Sequence, residues 1–198
     1  MNLANKLTIF RIILVPIMII IPFLGINREL LEIPVEWIIL DAIFIIASIT
    51  DKLDGYIARS RNQVTTFGKF LDPIADKVLV IVAMIMLVEM GKLPAWIPSI
   101  VVFREFVVSG YRLIAVENGG KVIAANIWGK LKTVTQMIAI IVAFIDKNAY
   151  ATVFTGSLTG FDMVVNIITT VMMTVCVIAT LFSGWEYIKN GKDLLKDR

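Results

Sequence analysis

Histidine is absent from this 198-residue chain, and cysteine occurs once, as Cys176. The two absences exclude His- or Cys-based catalysis, a structural zinc site and an internal disulfide. Any metal must therefore be held by oxygen, which favours Mg²⁺, Mn²⁺ or Ca²⁺. Cys176 lies within an apolar run and reads as packing or lipid-facing material. Charge is also scarce: 18% of residues are charged against 58% hydrophobic, with a mean hydropathy of +0.85. Soluble domains are about 45–50% apolar, so the composition points to a membrane protein. The net charge of +3 is a weak argument for a nucleic-acid partner, and none is expected. Basic residues in a membrane protein mark cytoplasmic loops and contacts with anionic lipid.

Long apolar runs fill the rest of the chain. Six emerge, Thr8–Leu24, Val35–Ala58, Phe70–Met90, Trp96–Val116, Ile127–Ile145 and Val164–Ile188. Each is close to the roughly 20 residues needed to cross the hydrocarbon core as a helix. The runs are continuous and do not alternate, so strands are not expected. Turn-forming residues fall between them, at Gly25–Asn27, Gly91–Pro94, Asn118–Gly120 and Thr155–Gly160. There is no internal repeat or low-complexity tract. The expectation is an all-α integral membrane protein of six transmembrane helices, forming one domain over residues 1–198. The first segment has the basic start and apolar core of a signal peptide, but no small-residue cleavage site follows. It reads as a retained span.

Six spans put both termini on the side of the 59–69 and 112–132 connections. All but Arg28, Lys92 and Lys147 of the 19 basic residues fall on that side. The positive-inside rule places it in the cytoplasm. The opposite face is acidic, with Glu29, Glu32, Glu36, Glu89, Asp146 and Asp162 near it. The tail from Lys189 to Arg198 reads as a solvated surface anchor. Trp37, Trp96, Trp128 and Trp185 suit an interfacial belt, and the methionines suit helix packing. Asp41, within the outer half of the second span, is expected to make a packed hydrogen bond.

Four carboxylates stand out against this background: Asp51, Asp54, Asp72 and Asp76. A charge within a bilayer costs at least a few kcal/mol, so four together need a compensating partner, and a bound divalent cation is the simplest. Asp51 and Asp54 are i,i+3 neighbours on a helix, and Asp72 and Asp76 are i,i+4 neighbours. An antiparallel helix pair joined by a short loop can bring the two pairs together. Gly55, Ala58 and Gly68 each lie one turn from a carboxylate, where small side chains allow a bulky ligand or a second helix close to the backbone.

The pattern D-x-x-D-G-x-x-A-R-x8-G-x3-D-x3-D over Asp51–Asp76 resembles, at every defined position, the signature of the CDP-alcohol phosphotransferase family. The six-span layout agrees with that family over the whole chain. Members displace CMP from a CDP-activated alcohol, usually CDP-diacylglycerol, using an acceptor hydroxyl and a divalent metal. Further segments are similar to the bacterial branch that uses sn-glycerol 3-phosphate as acceptor. They are Asn5-Lys6-Leu7-Thr8 with Arg11 and Pro16, Arg104-Glu105, Ser109-Gly110-Tyr111-Arg112, and Gly129 to Thr133 followed by Gln136.

The resemblance implies Mg²⁺ or Mn²⁺ on Asp51, Asp54 and Asp72, with Asp76 close to the metal and acting as general base. With no histidine present, a carboxylate is the natural base. Gly55 and Arg59 would face the cytidine diphosphate, and Ala58 and Gly68 would leave it room. The resemblance also implies that Thr65 and the Asn5–Thr8 segment help hold that group. Simple capping of the first helix is the competing reading of Asn5 and Thr8. Arg61 and Lys69 read as positive-inside anchors. Arg104, Arg112, Lys130 and Lys132 could form a basic pocket for a phosphorylated acceptor, although Arg104 could equally be paired internally with Glu105. An uncharged acceptor would give little reason for so much positive charge. The resemblance further implies a homodimer in the bacterial cell membrane, with membrane lipids around it and the active site facing the cytoplasm. The competing functions are another acceptor within the same family or a divalent-cation transporter, which would leave Arg59 and the small residues without a purpose.

Overall fold

The computed structural model describes residues 3–60, 66–117 and 127–190, and the chain there is almost entirely helical. The long helices are α1 (Leu3–Ile20), α2 (Val35–Ser60), α3 (Thr66–Glu89), α4 (Trp96–Glu117), α5 (Ile127–Ile145) and α7 (Gly160–Asn190), with a short α6 (Thr152–Thr155) between the last two. A single 3₁₀ turn, Ile21–Leu24, continues α1. Among the described residues, three segments are both long and apolar enough to cross a membrane: Asn5–Leu24, Ile127–Ile145 and Gly160–Lys189. Helices α2, α3 and α4 have the length, with 26, 24 and 22 residues, but more charge.

The apolar runs are helical, as expected, and in the link between the first two, β1 (Glu29–Leu30) and β2 (Ile33–Pro34) form a minimal antiparallel hairpin. Its loop residues Leu31 and Glu32 have φ of 55° and 62°. Two-residue hairpin loops require this left-handed backbone, normally supplied by Asn and Gly.

The helices group into two compact units. One comprises residues 1–92 and 143–147, in which α1 packs along both α2 and α3. Beside an apolar core, α1 carries a buried polar stripe and an exposed apolar one. Asn5, Thr8 and Arg11 recur every third residue on α1 and are buried, while Ile13, Ile17 and Ile20 are exposed. An apolar surrounding accepts the isoleucines, and the polar stripe must find partners inside the protein.

Gly91 ends α3 at φ +70°, and the Lys92 N–H reaches back to the Leu87 carbonyl at 2.9 Å. The turn tucks the Lys92 ammonium under the end of α5. There it donates to the carbonyls of Ala143 and Phe144, both at 2.9 Å, and to that of Asp146. It also lies 3.6 Å from the centre of the Trp37 ring. Burial pushes its pKa down to about 7 against the opposing pull of Asp146 and Asp41. Asp41 is buried, and its Oδ1 has no hydrogen-bond partner among the described residues. What the sequence suggested as a packed hydrogen bond is thus the electrostatic influence of Lys92.

The second unit comprises residues 93–142 and 148–198, with α4 packed on α7. Trp128 of α5 stacks on Phe182 of α7 at 4.9 Å, and Trp96 meets Tyr150 edge-on at 6.3 Å. Cys176 is free and wholly buried, a packing residue as expected.

Candidate functional site

The first helix organises the acidic residues. Thr8 and Arg11 lie three apart on α1, hence on one face. The Thr8 hydroxyl donates to Oδ1 of Asp72 on α3 at 2.6 Å. The Arg11 guanidinium lies 2.7 Å from Oδ1 of Asp51 on α2. One turn of α1 therefore holds a carboxylate from each of the two neighbouring helices. Thr8 is 1% exposed and Arg11 is wholly buried, whereas the Asp51 side chain remains 36% exposed. A buried guanidinium demands a counter-charge, and Asp51 supplies it while keeping a face open.

The helix begins by Leu3, so Thr8 sits within it and not at its cap. Its hydroxyl serves Asp72. Asn5, a turn before, is also buried. On α3, Gly68 is buried one turn before Asp72, and Asp76 lies half-buried one turn after it. Asp54, Gly55, Ala58 and Arg59 fall within α2, but their side chains lie outside the described residues, and Thr65 lies outside them altogether.

The donor chemistry suits a hard cation, because the candidate ligands are carboxylate oxygens and neither histidine nor cysteine competes. Among the described residues, no three acidic groups converge on one point. Of the candidate carboxylates, Asp51, Asp72 and Asp76 are described, and the first two are contacted from α1.

The basic set lies in the second unit. Glu105 Oε1 takes both Arg104 Nη1, at 2.9 Å, and Lys132 Nζ, at 2.8 Å. The internal Arg104–Glu105 pairing raised by the sequence is present, and it draws in Lys132 as well. Arg112 is exposed and donates to the Tyr187 hydroxyl at 2.8 Å. Lys130 and Lys132 are separated: two residues correspond to about 200° around a helix, so Lys132 is buried while Lys130 is exposed.

The model of the CDP-alcohol phosphatidyltransferase family matches residues 1–182 of the chain. The chain belongs to the CDP-alcohol phosphatidyltransferase family. It is 41% identical over 200 residues to the CDP-diacylglycerol–glycerol-3-phosphate 3-phosphatidyltransferase of Bacillus subtilis, covering 98% of this chain and 97% of that one. It is 36% identical to the Haemophilus influenzae protein of the same name, over 99% of this chain and 96% of that one. The Escherichia coli protein so named is 40% identical over 70% of this chain and 74% of its own. Family members generally depend on a divalent cation.

Sequence reasoning named Arg11 only as part of a family-like segment and assigned it no role. Its spacing of three from Thr8 and six from Asn5, within an otherwise apolar helix, was the available signal. Ser183 and Tyr187, which hold two of the basic residues, were missed altogether. They are two of several polar residues in a helix of 31 and match no motif.

Proposed function

We propose that this protein is a phosphatidylglycerophosphate synthase. It transfers the phosphatidyl group of CDP-diacylglycerol to sn-glycerol 3-phosphate and releases CMP. The observation that carries this reading is the near full-length identity of 41% to a relative named for that reaction, with the acidic signature complete in this chain. The acceptor hydroxyl oxygen bonds to the phosphorus that bears diacylglycerol, the bond from that phosphorus to CMP breaks, and the hydroxyl proton passes to Asp76.

Asp51, Asp54, Asp72 and Asp76 are the proposed ligands of Mg²⁺ or Mn²⁺. When bound, the cation would offset charge on the diphosphate and the departing CMP. Arg59 meets phosphate oxygens of the donor, while Gly55, Ala58 and Gly68 leave room for it and Asn5 and Thr65 help to hold it. Thr8 contributes by fixing Asp72. Arg104, Arg112, Lys130 and Lys132 attract the acceptor's phosphate.

The chain is proposed to act as one domain of six spans, with both termini and the active site on the cytoplasmic side of the bacterial cell membrane. Its proposed assembly is a homodimer among membrane lipids. Purified protein given CDP-diacylglycerol and Mg²⁺ or Mn²⁺ should release CMP only when glycerol 3-phosphate is added. A panel including inositol phosphate and serine tests the acceptor. CMP release with another acceptor, but not with glycerol 3-phosphate, overturns the reading.

A further inference from the structure

Two of the basic residues that would meet the acceptor are held by α7. Ser183 and Tyr187 lie four apart on that helix and so share a face. Both are buried, at 0% and 2% exposure. The Ser183 hydroxyl accepts from Nη2 of Arg104, and the Tyr187 hydroxyl accepts from Nη2 of Arg112 at 2.8 Å. The same tyrosine ring serves both arginines, its centre 5.8 Å from Cζ of Arg104 and 5.5 Å from Cζ of Arg112. These distances fall within the roughly 6 Å reach of cation–π attraction. Gly184, between the two holders, lies against the Arg104 stem: an added Cβ would sit 3.4 Å from its Cγ.

The charge balance of the cluster points to an anion. Arg104, Arg112 and Lys132 share one carboxylate, Glu105, which pairs with Arg104 and Lys132. Three cations against one anion leave two positive charges in excess. Among the described residues, Arg112 has no carboxylate partner. Its contacts are a neutral hydroxyl and the face of a ring. Neutral partners orient a guanidinium without cancelling its charge, and they leave most of its five N–H donors for a ligand. A phosphate monoester carries a charge of about −1.5 to −2 near neutral pH, which matches the excess.

We propose that Ser183 and Tyr187 are positioning residues for the phosphate monoester of the acceptor. They hold Arg104 and Arg112 beside the same tyrosine ring, between α4 and α7. This rests on the reading of those arginines as the acceptor-phosphate site. It adds α7 to the specificity-determining machinery and gives two of its buried polar side chains a role.

The test is steady-state CMP release by full-length purified protein, with KM determined separately for glycerol 3-phosphate and CDP-diacylglycerol. Tyr187→Phe keeps the ring and removes the hydroxyl, so it should raise the KM for glycerol 3-phosphate about 10-fold or more, the usual worth of a hydrogen bond to a charged group. The KM for CDP-diacylglycerol should stay within about twofold, a split that a general loss of structure would not produce. Ser183→Ala should act in the same direction. Tyr187→Phe combined with Arg112→Ala should be little worse than Arg112→Ala alone, because coupled residues are not additive. If Arg112→Ala and Arg104→Ala raise the acceptor KM while Tyr187→Phe and Ser183→Ala leave it unchanged, the role of α7 is refuted and the acceptor site stands. If the arginine variants leave the acceptor KM unchanged, the acceptor site itself is refuted, and the α7 role with it.

Discussion

Arg11, wholly buried on α1, lies 2.7 Å from the half-exposed carboxylate of Asp51 on α2. The two ends of this pair are not equivalent. Removing Asp51 takes the ion-pair partner from a cation that water cannot reach, whereas removing Arg11 leaves a carboxylate that water can solvate. With metal chelated, Asp51→Ala should lower stability, because it withdraws a counter-charge from a buried guanidinium. Arg11→Met should cost clearly less. Thermal unfolding in detergent measures both, and equal shifts would contradict the asymmetry.

The Thr8–Asp72 hydrogen bond makes a second prediction. Thr8→Val preserves shape but removes a hydroxyl donor from a carboxylate proposed to hold metal. A hydrogen bond to a charged group is worth about 1.5–3 kcal/mol. The Mn²⁺ concentration for half-maximal CMP release should rise by roughly 10-fold or more, again by that magnitude. An unchanged metal requirement would separate Thr8 from the metal site.

Asp76→Asn should reduce turnover by about 10²–10⁴, the usual contribution of a general base, while CDP-diacylglycerol binding is retained. Binding is read with a fluorescent or radiolabelled CDP-lipid. A variant that keeps more than about a tenth of the wild-type rate would remove Asp76 from the base role.

Lys92 supplies a pH dependence away from the site. Its pKa falls from 10.5 to about 7 on folding, chiefly through burial. The unfolded chain then binds the extra proton between those values, so stability should rise as pH increases from about 7 towards 10. Below pH 7 this contribution is flat, because both states are protonated. Lys92→Met should flatten the rise, while also lowering stability overall by leaving the carbonyls of Ala143 and Phe144 without their donor. Thermal midpoints measured across that pH range, for both proteins, test the sign.

The helices were readable because a membrane imposes a simple rule: about 20 apolar residues in succession. The observed α2 and α4 begin at the residues the hydropathy suggests, Val35 and Trp96. The start of α1 was set too late, since the polar residues Asn5 and Thr8 resemble a cap when their partners on other helices are unknown. The hairpin at Glu29–Pro34 was invisible because Leu31 and Glu32 adopt left-handed backbone without being Gly or Asn. Glu32 is tied there to Lys147 at 2.6 Å, a contact across more than a hundred residues that also pulls its pKa down.

Composition and local spacing alone pointed to a helical membrane protein and singled out the carboxylates proposed as oxygen ligands. Both properties depend on neighbours along the chain: continuous apolar runs, and carboxylates three or four residues apart. Only the tertiary structure decided that Thr8 and Arg11 hold Asp72 and Asp51, and that Ser183 and Tyr187 hold Arg104 and Arg112. Those partners lie tens of residues apart, and the buried polar side chains meet because no other group in an apolar interior can satisfy them.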